Sequence, residues 1–276
     1  MKKTALSYVF LLLVLAGCQP GTEGTTPNVY PYDLHVEVAD HTMTVSWKRH
    51  GNAAIAGYNI YLSEQPLVTK YPGNKLPPDI KPFNRVVFPG DTNPDDGIEH
   101  FIAKHLENGK RYYVSVRVVF PDRSLSKPTA EIAAACGPRG TITLGNRYVV
   151  QPDGYSFVKD TFVKVDGLEN DIYFFSKDAQ TNYLSSPHRL GGFLRHTRLA
   201  ALPYRGTLEE VLAQLQTHPV TEFDDRVKVT KGMWLYGKTD EGYPLLLHVL
   251  DLTGSGTERR VTLFYALSMV KDTVFF

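Results

Sequence analysis

Apolar residues recur at every second position through long stretches of this chain. Leu34, Val36 and Val38 alternate with Asp33, His35 and Glu37, and Met43, Val45 and Trp47 share one side of the run TMTVSWK. Tyr58, Ile60 and Leu62 do the same in GYNIYLS, and Val114, Val116 and Val118 follow Tyr112. In an extended chain this alternation puts every apolar group of a segment on one side, so it predicts half-buried β-strands. Ser124 to Ile132 is expected to add a closing strand, with Pro128 protecting an edge. Beyond Gly137-Pro138, short β-branched or aromatic runs continue between Gly, Asp and Asn. They are Thr141–Leu144, Tyr148–Val150, Asp160–Val165, Ile172–Phe175, Arg226–Val229, Met233–Tyr236, Pro244–Leu252 and Arg259–Met269. Pro244–Leu252 is apolar on both faces and reads as a central strand between packed layers. One segment breaks the pattern: Thr207-Leu-Glu-Glu210 is a capping box, and Leu208, Val211, Leu212 and Leu215 follow at helical spacing. It predicts one short helix ending at His218-Pro219. The expected fold is all-β: a sandwich, then a second β-rich sandwich or barrel carrying that helix.

The first unit has further marks: Pro31, Leu34 and Val36 open it, Trp47 closes the second strand, and Gly57-Tyr58 opens the third. Leu106 precedes Tyr112 across the turn glycine Gly109. This series resembles the fibronectin type III domain, over residues 28–136. The resemblance implies a two-sheet sandwich in which Trp47 is core and the Tyr112 hydroxyl bonds to upstream backbone. Between Gly57 and Leu106 the chain is about 20 residues longer than such a domain needs. The excess lies in the proline-rich stretch Pro66 to Gly97, expected to be a stiff cover for a sheet edge, with Tyr71 and Phe83 as an alternative apolar contact surface. Asp91 to Gly97 reads as a turn, since its glycine and its twelfth position do not fit a calcium loop.

The N-terminus carries an address. Met1-Lys2-Lys3 precedes an apolar run from Ala5 to Ala16, shorter than the roughly 20 residues a membrane span needs but suited to a signal peptide. Leu15-Ala16-Gly17-Cys18 resembles the lipobox of bacterial lipoproteins. That resemblance implies removal of residues 1–17 and acylation of Cys18, palmitate included. Residues 18–27 then form a tether poor in large apolar groups, followed by units at 28–136 and 137–276. The membrane becomes a partner through the lipid anchor. The location implied is the cell envelope, the outer membrane where the host has two, because Gln19 is not the aspartate of an inner-membrane retention signal.

Charge and composition narrow the chemistry. Thirty Lys and Arg face 29 Asp and Glu, giving a net charge of +1 that excludes a general nucleic-acid binder. Two cysteines exclude a disulfide-dense scaffold and a four-thiolate zinc site. No phosphate loop, dinucleotide turn or paired-histidine zinc helix occurs, and Gly154-Tyr-Ser156 lacks the second glycine of a nucleophile elbow, so no cofactor, metal or catalytic residue is assigned. His100 and His105 would point to opposite sides of one strand. His188 and His196 could meet across Gly191-Gly192.

One stretch stands out. Ala179 to Leu208 holds no Asp or Glu in 30 residues, yet contains Arg189, Arg195, Arg198, Arg205, His188 and His196 with Tyr183 and Tyr204. Guanidinium forks suit two-point contact with carboxylate or phosphate, and tyrosine rings stack on sugars. The competing reading is a solvated loop paired with Glu222, Asp224 and Asp225. Trp234 and Tyr236 share a strand face and read as core. Together these features predict a non-catalytic envelope lipoprotein presenting β-sandwich modules to an envelope protein or an anionic glycan. On the glycan reading, replacing Arg195 and Arg198 with Ala should abolish retention on anionic polysaccharide without unfolding. The alternative is a glycan hydrolase with its site in the C-terminal unit, drawing on a pair such as Asp171 and Glu222. A third reading is a structural subunit of a larger assembly using its sheet edges or the proline-rich loop.

Overall fold

The computed structural model describes residues 28–91, 93 and 97–276. The expected signal peptide, Cys18 and the expected tether lie outside the described residues, as does much of the stretch Asp91 to Gly97 expected to be a turn. The described residues are all-β: 42% strand against 7% helix, in four antiparallel sheets with no closed barrel among them.

Residues 30–135 supply β1 (Tyr30–Ala39), β2 (Thr42–His50), β3 (Gly57–Ser63), β4 (Ile98–Lys104), β5 (Arg111–Val119) and β6 (Ile132–Ala135). They form two three-stranded sheets, ordered β1-β2-β4 and β3-β5-β6. The alternating residues of the two sheets meet in one core: Met43, Val45 and Trp47 from one side, Tyr58, Ile60, Val114 and Val116 from the other. Trp47 is fully buried, edge-on to Tyr58 and Phe88 at 5.1 and 6.1 Å. Cys136 closes this core; its Sγ donates to the Thr42 carbonyl at 3.2 Å, and burial pushes its thiol up to about 11.

The closing strand is shorter than the sequence predicts. Pro128 has no N–H to give a ladder, and the hydroxyls of Thr129 and Ser126 accept from Val116 N and Val118 N at 3.1 and 2.9 Å instead. Regular pairing begins only at Ile132. The long proline-rich segment covers the free edge of β3. Phe83 N donates to Ile60 O, Phe88 pairs with Tyr58, and the Asn84 side chain bonds both Ile60 N and Tyr58 O. Gly57 permits this close approach: a Cβ there would lie 2.2 Å from the Phe88 oxygen.

Residues 139–267 supply β7 (Arg139–Gly145), β8 (Gly154–Ser156), β9 (Thr161–Val163), β10 (Ile172–Ser176), β11 (Asn182–Ser185), β12 (Arg198–Ala201), β13 (Arg226–Lys228), β14 (Trp234–Lys238), β15 (Pro244–Thr253) and β16 (Arg260–Leu267). The single α-helix among the described residues, α1 (Leu208–Thr217), begins with the reciprocal capping box of Thr207 and Glu210. Two five-stranded sheets, β13-β11-β10-β8-β9 and β12-β14-β15-β16-β7, face each other across a core of Phe157, Phe174, Leu184, Leu235, Leu247 and Leu263. β15 is central, as its two apolar faces require. One face meets the inter-sheet core; the other, through Leu246, lies under α1 with Trp234 and Tyr236. Tyr148–Val150 is a turn rather than a strand: Val149 N and Val150 N both reach Asn146 O at 3.0 Å, and Tyr148 has φ 62.

The second unit is therefore layered. Helix, sheet, core and sheet follow in order, leaving the outer face of the β8–β11 and β13 sheet toward solvent.

Candidate functional site

Strand alternation decides what that outer face carries. Ile172, Phe174, Leu184 and Val227 point inward, so Tyr173 and Phe175 of β10, Tyr183 and Ser185 of β11, and Arg226 and Lys228 of β13 lie on the opposite face. Tyr173 and Ser185 are fully buried there beneath their neighbours, while Phe175, Tyr183 and Arg226 are half-buried and Lys228 is exposed. Phe175 lies directly opposite Tyr183, and Tyr183 opposite Lys228. The two rings stack at 6.3 Å and 16°. The Arg226 guanidinium covers both, 4.9 Å from Tyr183 and 5.4 Å from Phe175. Arg147, from the turn after β7, covers Phe175 from its other neighbour at 4.6 Å and Tyr173 at 5.4 Å. The exposed Tyr148 extends the row.

Stacking on a ring removes water from one side of a guanidinium and fixes its plane, while its N–H edge stays free to donate. Arg147 donates to the Tyr173 hydroxyl at 3.4 Å and Arg226 to Ser185 Oγ at 3.3 Å. Among the described residues no carboxylate pairs with Arg147, Arg226 or Lys228. Three cations thus share one aromatic face, and none of them forms an ion pair among the described residues. No protein-family model matches the chain, and no curated protein matches it either. The chemistry of the site therefore rests on this geometry.

The acid-free stretch is not assembled into one site. Tyr183 joins the outer face. Arg189 is exposed at the end of a short 3-10 turn, Pro187–Arg189. Arg198 lies on β12 in the other sheet, 5.7 Å over the Phe223 ring and opposite Lys238. Tyr204 packs beside α1 with its ring 6.4 Å from His218, and Arg205 is exposed on the same side. Arg195 is a correction. Its Nε donates to Asp171 Oδ1 at 2.7 Å and its Nη2 to Glu241, so two of its three nitrogens tie the start of β10 to the β14–β15 hairpin rather than facing a ligand. Replacing it would strike the fold, contrary to the expectation that it could be changed without unfolding.

Asp171 has no exposed surface, and both its oxygens are engaged, the second by Phe157 N at 2.7 Å. Burial outweighs the attraction of Arg195 and pushes its carboxyl up to about 6. Glu222 is exposed in a loop. Asp171, buried with both oxygens bonded, presents no free carboxyl to a substrate as a hydrolytic pair requires. His188 and His196 do meet, stacked at 4.4 Å and 22°, and His196 Nε2 lies 2.5 Å from Asp225 Oδ1. His100 is separated from His105 and held by Asp91 at 2.9 Å.

Arg147, Tyr173, Phe175, Arg226 and Lys228 escaped the sequence reading. A signal was present: in the run Ile172 to Phe175 the positions opposite the core are aromatic rather than polar, and in Arg226 to Val229 they are both cations.

Proposed function

We propose that the protein is a non-catalytic, lipid-anchored cell-envelope protein that holds an anionic glycan against the outer face of its second unit. The observation that carries the binding half is the pair of ring-stacked arginines, Arg147 and Arg226, with no carboxylate partner among the described residues. An anionic polysaccharide offers carboxylates at regular spacing, which suits a row of forks better than a single ion does. The anchor rests on the lipobox-like Leu15 to Cys18. The display role draws on the fibronectin-like resemblance of the first unit. Its strand orders β1-β2-β4 and β3-β5-β6 support that resemblance, as does the donation of Glu107 N to the Tyr112 hydroxyl at 3.3 Å.

The binding half is tested on immobilised polygalacturonate, with neutral dextran as control. The chain should be retained by the acidic polymer at low salt, released as salt screens the contact, and pass through dextran. Equal behaviour on both polymers would defeat the glycan reading. The anchor is tested by palmitate incorporation, expected for the native chain and lost in Cys18→Ser.

A further inference from the structure

A second feature lies far from the arginine face, where the first unit meets α1. A cleft of ≈ 580 Å³ opens there, walled by Val36 and Val38 of β1, Leu208 and Leu212 of α1, and Phe276. It runs on along β6 into a shallower groove of ≈ 220 Å³ that shares Val36, Val38 and Leu212. This is the size, the mixed apolar lining and the junction position of a small-ligand pocket.

Its floor holds an unusual group. Arg139 lies opposite Ala266 in the β7–β16 ladder, and Ala266 belongs to the cluster under α1. The Arg139 side chain therefore projects on the helix side of the sheet, into the cleft. Its Nε is buried and has no hydrogen-bond partner. Two carboxylates share the cleft, and Glu37 attracts Arg139 electrostatically without reaching ion-pair distance. Glu37 lies 3.9 Å from His35 Nε2, and Glu209 stands exposed in the first turn of α1. Neither forms an ion pair with Arg139 among the described residues. A buried guanidinium N–H without an acceptor is unfavourable. A ligand carboxylate meets the part of the Arg139 side chain that lines the cleft, and a small shift of that side chain brings Nε within its reach.

We infer that this cleft binds a single-chain amphiphile bearing one carboxylate, its head on Arg139 and its hydrocarbon body along Val36, Leu212 and Phe276. With one carboxylate and a hydrocarbon body, this ligand differs in class from the polymer proposed for the outer face.

The test is titration calorimetry with octanoate, nonanoate and decanoate, and with decanol as the uncharged control. The chain from Gln19 onward carries every described element and is the protein to use. Saturable binding is expected, tightening about fourfold per methylene, with decanoate at least tenfold tighter than decanol. Ala213 lines the cleft and is exposed, so Ala213→Trp should block it and weaken decanoate at least tenfold without loss of packing. Arg139→Gln should bring decanoate down to the affinity of decanol. No saturable binding of decanoate, or binding that both variants leave unchanged, would overturn the inference. Loss in Ala213→Trp alone would overturn the role given to Arg139. Circular dichroism of both variants guards against misfolding. Replacing Arg147 and Arg226 should leave decanoate binding intact, which separates this site from the glycan reading.

Discussion

Arg195→Met should destabilise the protein by about 3–5 kcal/mol near neutral pH, the usual cost of stranding one member of a buried ion pair. Asp171 would be the stranded group, with no exposed surface and its Oδ1 left without a donor. The loss should depend on pH in a defined direction. The Asp171 carboxyl already stands at about 6, above its ordinary value of 3.8, because burial disfavours its charge. A raised carboxyl pKa means that the folded state binds the proton more tightly than the unfolded one. Its favourable contribution is therefore complete below about pH 4 and is lost as the pH rises through about 6. Without Arg195 the carboxyl moves higher still. The deficit of Arg195→Met should thus be largest above pH 7 and shrink toward pH 5, where Asp171 is protonated in both proteins. Adding Asp171→Asn to the variant should recover more than half of the loss at pH 7.5. Urea unfolding at pH 5 and pH 7.5 measures all three statements. A deficit that is small, or independent of pH, would remove Asp171 from the centre of this network.

The second large effect concerns binding. Arg147→Ala with Arg226→Ala should lower affinity for polygalacturonate by about a hundredfold or more, since each charge-assisted contact contributes about 1.5–3 kcal/mol. Stability should fall much less, because cation–π contacts at an exposed face contribute only about 0.5–1 kcal/mol each. Both side chains are half-buried on the solvent side of the sheet, and neither closes an internal ion pair among the described residues. Replacing both with Lys separates charge from geometry. Lysine keeps the charge but not the planar fork that lies on Phe175 and offers two donors. The lysine variant should recover only part of the affinity. Full recovery would mean that net charge alone holds the polymer, and no loss in the alanine variant would mean that the face is not used.

The sequence carries the strand framework well where burial is one-sided. The alternation in TMTVSWK and GYNIYLS forces Val45, Trp47, Tyr58 and Ile60 into one core, and the structure places them there. The Thr207 capping box likewise marks the start of α1 to the residue. β8, β11 and β12 are three or four residues long, and such short runs give too few alternations to register. The site was harder to see because its members come from four separate segments. Arg147 leaves a turn, Phe175 and Tyr183 sit across a hairpin, and Arg226 arrives from a strand 43 positions beyond Tyr183. The density of arginine between Ala179 and Leu208 draws together residues that the structure separates, Arg195 and Arg198 among them. Arg195 is fixed inside by carboxylates at positions 171 and 241, which no local pattern reveals. The His188–His196 contact was foreseeable from the Gly191-Gly192 turn, and its partner Asp225 belongs to the acidic stretch that the competing reading pairs with this loop.

The most direct test of the arginine face as the binding surface is an NMR titration of the chain from Gln19 onward with a short galacturonate oligomer. The account predicts shifts centred on residues 172–176, 182–185 and 226–228, with the Nε–H signals of Arg147 and Arg226 among those that move most. Shifts centred instead on Arg189 and Arg198, or on β1 and α1, or no shifts at all, would contradict it.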